Sequence, residues 1–330
     1  MKLTPSKETF VKISSLIPSL VKLIDSIQRK NKVASFMVAV YIKSSRDRVS
    51  SMAALFAYYA LFAIIPLLIL LVGLLGIFTT HNSSLKETVL NSALANFPII
   101  GAQIKSNIHV LVIGTISSIV SVVTLASATK GLSSIAMRSM QDIWYVVPAE
   151  RGGFAPQLGR KILWSLVIGI GSIASTTLAA YSSRFLIISI LIAALINIAM
   201  FILATNICLP KSIGIRKIWR GAVAGAIVWQ ILQFFGSSIV SHQLSKASAL
   251  YGFFGIVIGL LTWVYLISYV TLITAQIDVV FELKLWPRSL DRSNPTTADL
   301  AAQKLQNKAN VIYTNQTLES TPAPKSINGR

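Results

Sequence analysis

The sequence predicts an all-α integral membrane protein, with six transmembrane helices, additional amphipathic helices, and both the N-terminus and the C-terminus cytoplasmic. Three observations carry that prediction. Hydrophobic residues make up 54% of the 330 residues, charged residues only 12%, and mean hydropathy is +0.68, whereas a soluble domain is about a quarter charged. Apolar runs long enough to cross a hydrocarbon core of about 30 Å recur along the chain. Lysine and arginine alternate between rich and poor segments in step with those runs.

The chain divides into a basic N-terminal region (1–48), a six-helix transmembrane domain (49–285) and a polar tail (286–330). Early in the first region Phe10, Ile13, Ile17, Leu20, Ile24 and Ile27 recur at roughly helical spacing among Lys12, Lys22 and Asp25, with Pro18 interrupting. This is too polar to span; it either lies on the membrane surface or packs under the bundle. Val33, Phe36, Met37, Val40 and Tyr41 form a clearer stripe, which predicts an interfacial helix leading into the first span.

Span 1 (52–78) belongs to the run Val49–Phe78, which is uncharged from Met52 onward and sits behind a charged shoulder of Lys43, Arg46, Asp47 and Arg48. Pro66 near its middle lacks a backbone donor and clashes with the preceding turn, which predicts a kink. Tyr58 and Tyr59 place phenol groups close to it. Residues 79–107 form a long connection, with Leu85, Val89, Leu90 and Leu94 suggesting a short amphipathic helix. Span 2 (108–129) is rich in serine and threonine, which permit close helix approach. Beyond it Leu132, Ile135, Ala136, Met140 and Ile143 form an amphipathic stretch on which Arg138 and Asp142 are spaced to pair.

Residues 146–161 read as a polar loop. Spans 3 (162–181) and 4 (185–209) are separated by a turn at Ser182, Ser183 and Arg184, and Pro210 closes the second. Span 5 (218–240) opens with Gly221 and Gly225, a small-xxx-small packing face. Span 6 (252–281) starts with Gly252, Gly255 and Gly259 on neighbouring positions and is longer than a bilayer needs, so it tilts or protrudes. After Trp286 and Pro287 the tail is rich in Ser, Thr, Asn and Gln and is expected to be disordered.

The formal net charge of +19 would first suggest nucleic acid. Its distribution argues otherwise. Lysine and arginine number ten over 1–51, five over 130–161, four over 210–220 and seven over 282–330, but two, one and one in the segments between. That is the positive-inside pattern for six spans, and it directs the basic face at anionic lipid headgroups. Trp144, Trp164, Trp219 and Trp286 fall at the same interface. Membrane lipids are therefore the expected partners and nucleic acid is not. An oligomer is compatible with the pattern.

Candidate chemistry is sparse. The single cysteine, Cys208, ends an apolar run and reads as an inert buried thiol. His81, His109 and His242 lack metal-ligand spacing. Neither phosphate-binding glycine motif is present, and no cleavable signal peptide is predicted. No cofactor, metal or catalytic constellation is predicted. Intramembrane polar groups remain: Asn197, Gln230, Gln233 and Gln276, with Asp278 near the end of span 6, which avoid lipid and face the bundle interior or a cavity. They are the candidate lining of a cavity or path, weighed evenly against plain interhelical hydrogen bonding; Tyr58, Tyr59 and Pro66 are candidates for the same lining, set against a passive bend tolerated by neighbouring helices. Asp278 and Glu282, one turn apart, read as surface partners of Lys284 or the basic loops.

The run Ala53-Ala54-Leu55-Phe56-Ala57-Tyr58-Tyr59-Ala60-Leu61 followed by Pro66-Leu67-Leu68 resembles the first-span signature of the YihY/BrkB family of bacterial inner-membrane proteins. Lys130-Gly131, Met140, Ile143 and Trp144 resemble it too, as do Leu209-Pro210, Trp219-Arg220-Gly221-Ala222, Leu250-Tyr251-Gly252 and Leu261-Thr262-Trp263-Val264-Tyr265-Leu266. The resemblance covers roughly residues 35–281. The family commonly has Gly-Ala-Glu where this chain has Thr274-Ala275-Gln276, so no role of that carboxylate carries over. The resemblance implies a six-helix multi-pass protein of the inner membrane, transporter-like or handling envelope lipid, since some members are linked to lipid or lipopolysaccharide export. A non-transporting scaffold that docks partners is the alternative. A membrane-associated ribonuclease, a label some members have carried, is remote because no carboxylate or histidine cluster supports it.

Overall fold

The computed structural model describes residues 21–78, 115–180, 186–232, 253–291 and 294–310. The described residues are helical, with no strand among them. Helix α1 covers 21–30. Asn31 then restarts the chain, its side chain accepting the N–H groups of Val33 and Ala34, and α2 runs Lys32–Arg46. This is the ordinary reason for asparagine before a helix: it satisfies donors that the first turn leaves open. The apolar stripe of α2 divides in two. Val40 is buried and Phe36 packs edge-on against Phe281 and Trp286, with centroids 6.4 and 6.0 Å away, while Val33, Met37 and Tyr41 are exposed.

Helix α3, Val49–Phe78, continues through Pro66 without a break. Helix α4, Thr115–Ile143, fuses the predicted second span and the amphipathic stretch into one element. A 3-10 turn at Pro148–Glu150 leads to α5, Phe154–Ala180, which starts earlier than predicted, with Pro156 in the first turn, where a missing N–H costs nothing. Helix α6 is Leu186–Cys208, α7 covers 215–232, and α8 is Phe253–Glu282. Helix α3 packs against α4 and α8, α5 packs against α6, and α8 also supports α2.

Among the described residues two helices are long and apolar enough to cross a membrane, through Leu191–Cys208 and Val257–Glu282. Only 28% of each stretch is buried inside the protein. Leu191, Leu195 and Leu203 on α6 and Ile258 on α8 are exposed. The core helix of a soluble protein would be mostly covered, so these flanks need an apolar surrounding.

Two glycines set the closest approaches. A Cβ on Gly131 of α4 would overlap the Tyr59 ring of α3, and a Cβ on Gly221 of α7 would overlap both the Asp278 carboxylate and the Thr274 carbonyl of α8. Gly225, one turn on, faces Thr274 and Phe201 at ordinary to tight distances. The small-xxx-small face of α7 thus lies on α8 and α6. Gly259 is half-buried on α8; Gly252 lies outside the described residues, and the surroundings of Gly255 are likewise undescribed.

The tail departs from the expected disorder as far as it is described. The Trp286–Pro287 peptide is cis, and after it α9 forms over Thr297–Ala309. Thr296 and Asp299 build a capping box, and alanine-rich composition favours the helix. Ala302 joins the core formed by the ends of α3, α4, α6, α7 and α8, including Val49, Met140, Cys208, Ile218 and Val279. Composition averaged over the polar tail hides this local signal. Residues 311–330 lie outside the described residues.

Gly221→Ala is expected to destabilise the fold by about 1–3 kcal/mol, because backbone rather than a flexible side chain stands in the way. Gly214→Ala, where nothing lies within 4 Å of the added methyl, is expected to be neutral. Melting temperatures of the two variants in one detergent compare them directly.

Candidate functional site

Helices α2, α4, α6 and α8 end in one region, and each end leaves backbone carbonyls without helical partners. The chain meets this locally first. Tyr145 after α4 and Lys284 after α8 adopt positive φ, 55° and 51°. Behind them Val146 N–H reaches the Gln141 carbonyl and Leu285 N–H the Val280 carbonyl, both at about 3 Å. These are Schellman closures; the left-handed residue costs about 1 kcal/mol in a non-glycine, offset by the carbonyls it satisfies. Arg48, φ 53°, turns the chain from α2 into α3.

Side chains from neighbouring helices supply the remaining donors. Gln141 Nε2 donates to the Cys208 carbonyl at the end of α6, 3.0 Å away. Lys43 of α2, 1% exposed, donates to the Ile143 carbonyl at the end of α4 at 2.9 Å and to Asp47 Oδ2 at 2.5 Å, and its ammonium stands 4.4 Å from the centre of the Tyr145 ring. A cation at a helix C-terminus faces the negative end of the dipole, and the ring face adds a cation–π contact. Gln276 of α8, fully buried, donates Nε2 to the same Asp47 oxygen at 2.8 Å. Asp47 therefore ties α2, the start of α3 and α8 together. Burial drives the Lys43 ammonium down to about pKa 8, against the pull of Asp47, and burial drives the Tyr145 phenol up to about 12.

A second knot joins the two ends of the chain. Gln28 donates to the Arg288 carbonyl at 2.8 Å, Leu290 N–H to Asp25 at 2.9 Å, and Arg29 to the Ser289 hydroxyl at 2.8 Å. Arg288, 1% exposed, has Nε 3.2 Å from Asp299 Oδ1, close enough for charge pairing. Burial lowers the Arg288 pKa; for Asp299 burial raises it, but the N–H groups of Thr296 and Ser289, the Thr296 hydroxyl and Arg288 outweigh that and hold it below the usual range.

Two cavities flank Tyr145. The larger, 370 Å³, is lined by Arg46, Asp47, Met52, Asp142, Tyr145, Pro148 and Arg151, with Gln306 and Ala309 of α9 and Asn310 just beyond it completing the lining. The smaller, 170 Å³, lies among Trp144, Glu150, Lys217, Glu282, Leu305 and Lys308.

The structure does not gather the predicted lining residues into one chamber. Tyr58 is exposed, in contact with Tyr59 and Phe62. Tyr59 packs on Gly131. Pro66 is helical, and its side-chain surroundings are not described. Gln230 is half-buried on α7, and Gln233 lies outside the described residues, as do His81, His109 and His242. Asn197 is 1% exposed, and neither its amide nitrogen nor its oxygen has a hydrogen-bond partner among the described residues; the same holds for Gln276 Oε1.

Two charge pairings differ from expectation. Asp278 is buried, not at the surface, and accepts the Gly221 N–H at 2.6 Å; the absent side chain of Gly221 lets the carboxylate in. Asp142 pairs with Arg151 at 2.6 Å rather than with Arg138, because the 3-10 turn brings Arg151 back onto the end of α4. Glu282 does meet a residue of the basic stretch 210–220, Arg220, which the structure places on α7, at 3.8 Å. The importance of Lys43, Asp47 and Gln141 was missed; the only sequence signal was the Lys43–Asp47 spacing on a charged shoulder.

A family model described as virulence factor BrkB matches residues 40–298. The chain belongs to the YihY/BrkB family. It is a membrane protein, as that membership and its two long apolar helices together indicate. The match takes in Lys43, Asp47, Tyr145, Gln276 and Arg288 but ends just before Asp299, so most of α9 lies beyond the part of the chain that BrkB proteins share in the match. No curated protein and no solved structure matches the chain. Among the described residues no group of three His, Cys, Asp or Glu side chains could hold a metal ion.

The Lys43 shift has a pH consequence. The unfolded lysine titrates near 10.5 and the folded one near 8. Between those values the unfolded chain holds more protons, so stability rises with pH across the window and is lowest below it. The gain is expected to be on the order of 1–3 kcal/mol. Lys43→Met is expected to remove that slope while lowering the melting temperature, since Asp47 keeps only Gln276; melting curves from pH 7 to 10.5 read both effects.

Proposed function

We propose that this BrkB-family chain is a six-span protein of the bacterial inner membrane with both termini cytoplasmic, transporter-like and acting on envelope lipid. In this reading its work is movement rather than bond chemistry. The observation that carries this reading is Asn197, a buried amide within an apolar crossing helix that has no partner among the described residues. An unpaired buried amide costs about 1–3 kcal/mol, and in a transporter such a group finds its partner in the substrate or in a second arrangement of the helices. The unpaired Gln276 Oε1 supports the same reading at the other end of the bundle.

The orientation rests on charge. The segments rich in lysine and arginine meet at one end: Lys43 on Ile143, Arg46 and Arg151 around one cavity, Lys217 and Lys308 around the other, and Arg220 on Glu282. A common basic end is the face that anionic headgroups attract and that does not translocate.

Two measurements test the proposal. With Cys208 replaced by serine, single cysteines at Gly152, Gly214 and Lys304 are expected to react with an impermeant maleimide in inverted vesicles and not in intact cells. Labelling from outside at any of them overturns the topology. In reconstituted vesicles Asn197→Leu is expected to cut phospholipid translocation at least tenfold without lowering the melting temperature, since an apolar replacement relieves the unpaired amide. Unchanged translocation in a folded variant removes the path reading and leaves the scaffold.

A further inference from the structure

The larger cavity beside Tyr145 is used by nothing proposed so far. Its 370 Å³ falls in the range of small-ligand pockets. Two arginines and two aspartates line it, and the buried Lys43, outside the lining, adds one more positive charge. Asp47 is answered by Lys43 at 2.5 Å and Gln276 at 2.8 Å, and Asp142 by Arg151 at 2.6 Å. Arg46, exposed in the cavity wall, has no ion-pair partner among the described residues. One guanidinium charge is thus left over in a concave site.

Neutral groups around it can complete an anion's coordination. The Tyr145 phenol and the amides of Gln306 and Asn310 line the same cavity. Arg151 spends Nε and Nη2 on Val146 and Asp142, which leaves Nη1 to donate. A planar guanidinium fork matches phosphate oxygens bidentately. Met52, where the uncharged run of α3 begins, forms another part of the wall, so a group anchored in the membrane can reach the site as readily as a soluble one.

We propose that this cavity binds a phosphate monoester, with Arg46 as the principal cation, Arg151 as a second donor and the end of α9 as one wall. The monoester is either a small soluble metabolite or the headgroup of an anionic lipid of the phosphatidic acid kind. The site stands whether or not the chain moves lipid.

The test uses the full-length protein. Glycerol 3-phosphate is titrated into it in detergent, and phosphatidic acid is offered in phosphatidylcholine nanodiscs, with binding read by thermal shift and native mass spectrometry. Saturable binding of at least one probe is expected, weakened tenfold or more in Arg46→Gln and less in Arg151→Lys, with Arg216→Gln unchanged as an exposed arginine outside the cavity. Binding of glycerol 3-phosphate alone assigns a soluble ligand, and binding of phosphatidic acid alone a lipid. The proposal is overturned if neither probe saturates, if Arg46→Gln binds as the parent does while melting at the same temperature, if Arg216→Gln loses as much as Arg46→Gln, or if sulfate competes as tightly as glycerol 3-phosphate.

Discussion

Four helices stop at one end of this bundle, and their last carbonyls must find donors. That constraint explains most of what is distinctive there. Each helix end carries a partial negative charge and orphaned acceptors. Backbone turns through Tyr145 and Lys284 satisfy some of them, and Lys43 and Gln141 reach across from neighbouring helices to satisfy others. Lys43 is the centre because its ammonium donates to a carbonyl and a carboxylate and stands near a ring face at once. A buried ammonium is tolerated only under such conditions.

The basic composition of the chain therefore has two physical sources that act at the same end. The proposed topology puts lysine and arginine on the face that is not translocated, and the helix ends that collect among these residues give several of them local acceptors. Arg46 lines a cavity without an ion-pair partner among the described residues, which is why the proposed ligand site centres on it rather than on Lys43.

The helices and their packing glycines were legible because their signals are local. An uncharged run and a glycine pair one turn apart each act within a few residues, and α3 and Gly221 with Gly225 appear accordingly. The knot at Asp47 was not legible. Lys43 and Asp47 are spaced like any exposed pair on a helix surface, and only the Ile143 carbonyl, 100 residues away, and Gln276, 229 residues away, make them interior. Asp278 was misread for the same reason: its partner is a backbone N–H exposed by a glycine on another helix. The tail was misread because a capping box and a few alanines outweighed a polar average.

The bonds between residues 25–29 and 288–290 bear on counting. Two segments that exchange hydrogen bonds must share one side of the bilayer. In the proposed multi-pass arrangement the chain that joins them crosses in pairs, out and back, so its number of crossings is even. A helix gained or lost singly between Arg29 and Arg288 would pull these ends onto opposite faces and break every bond between them; duplication or deletion within this architecture has to proceed by hairpins.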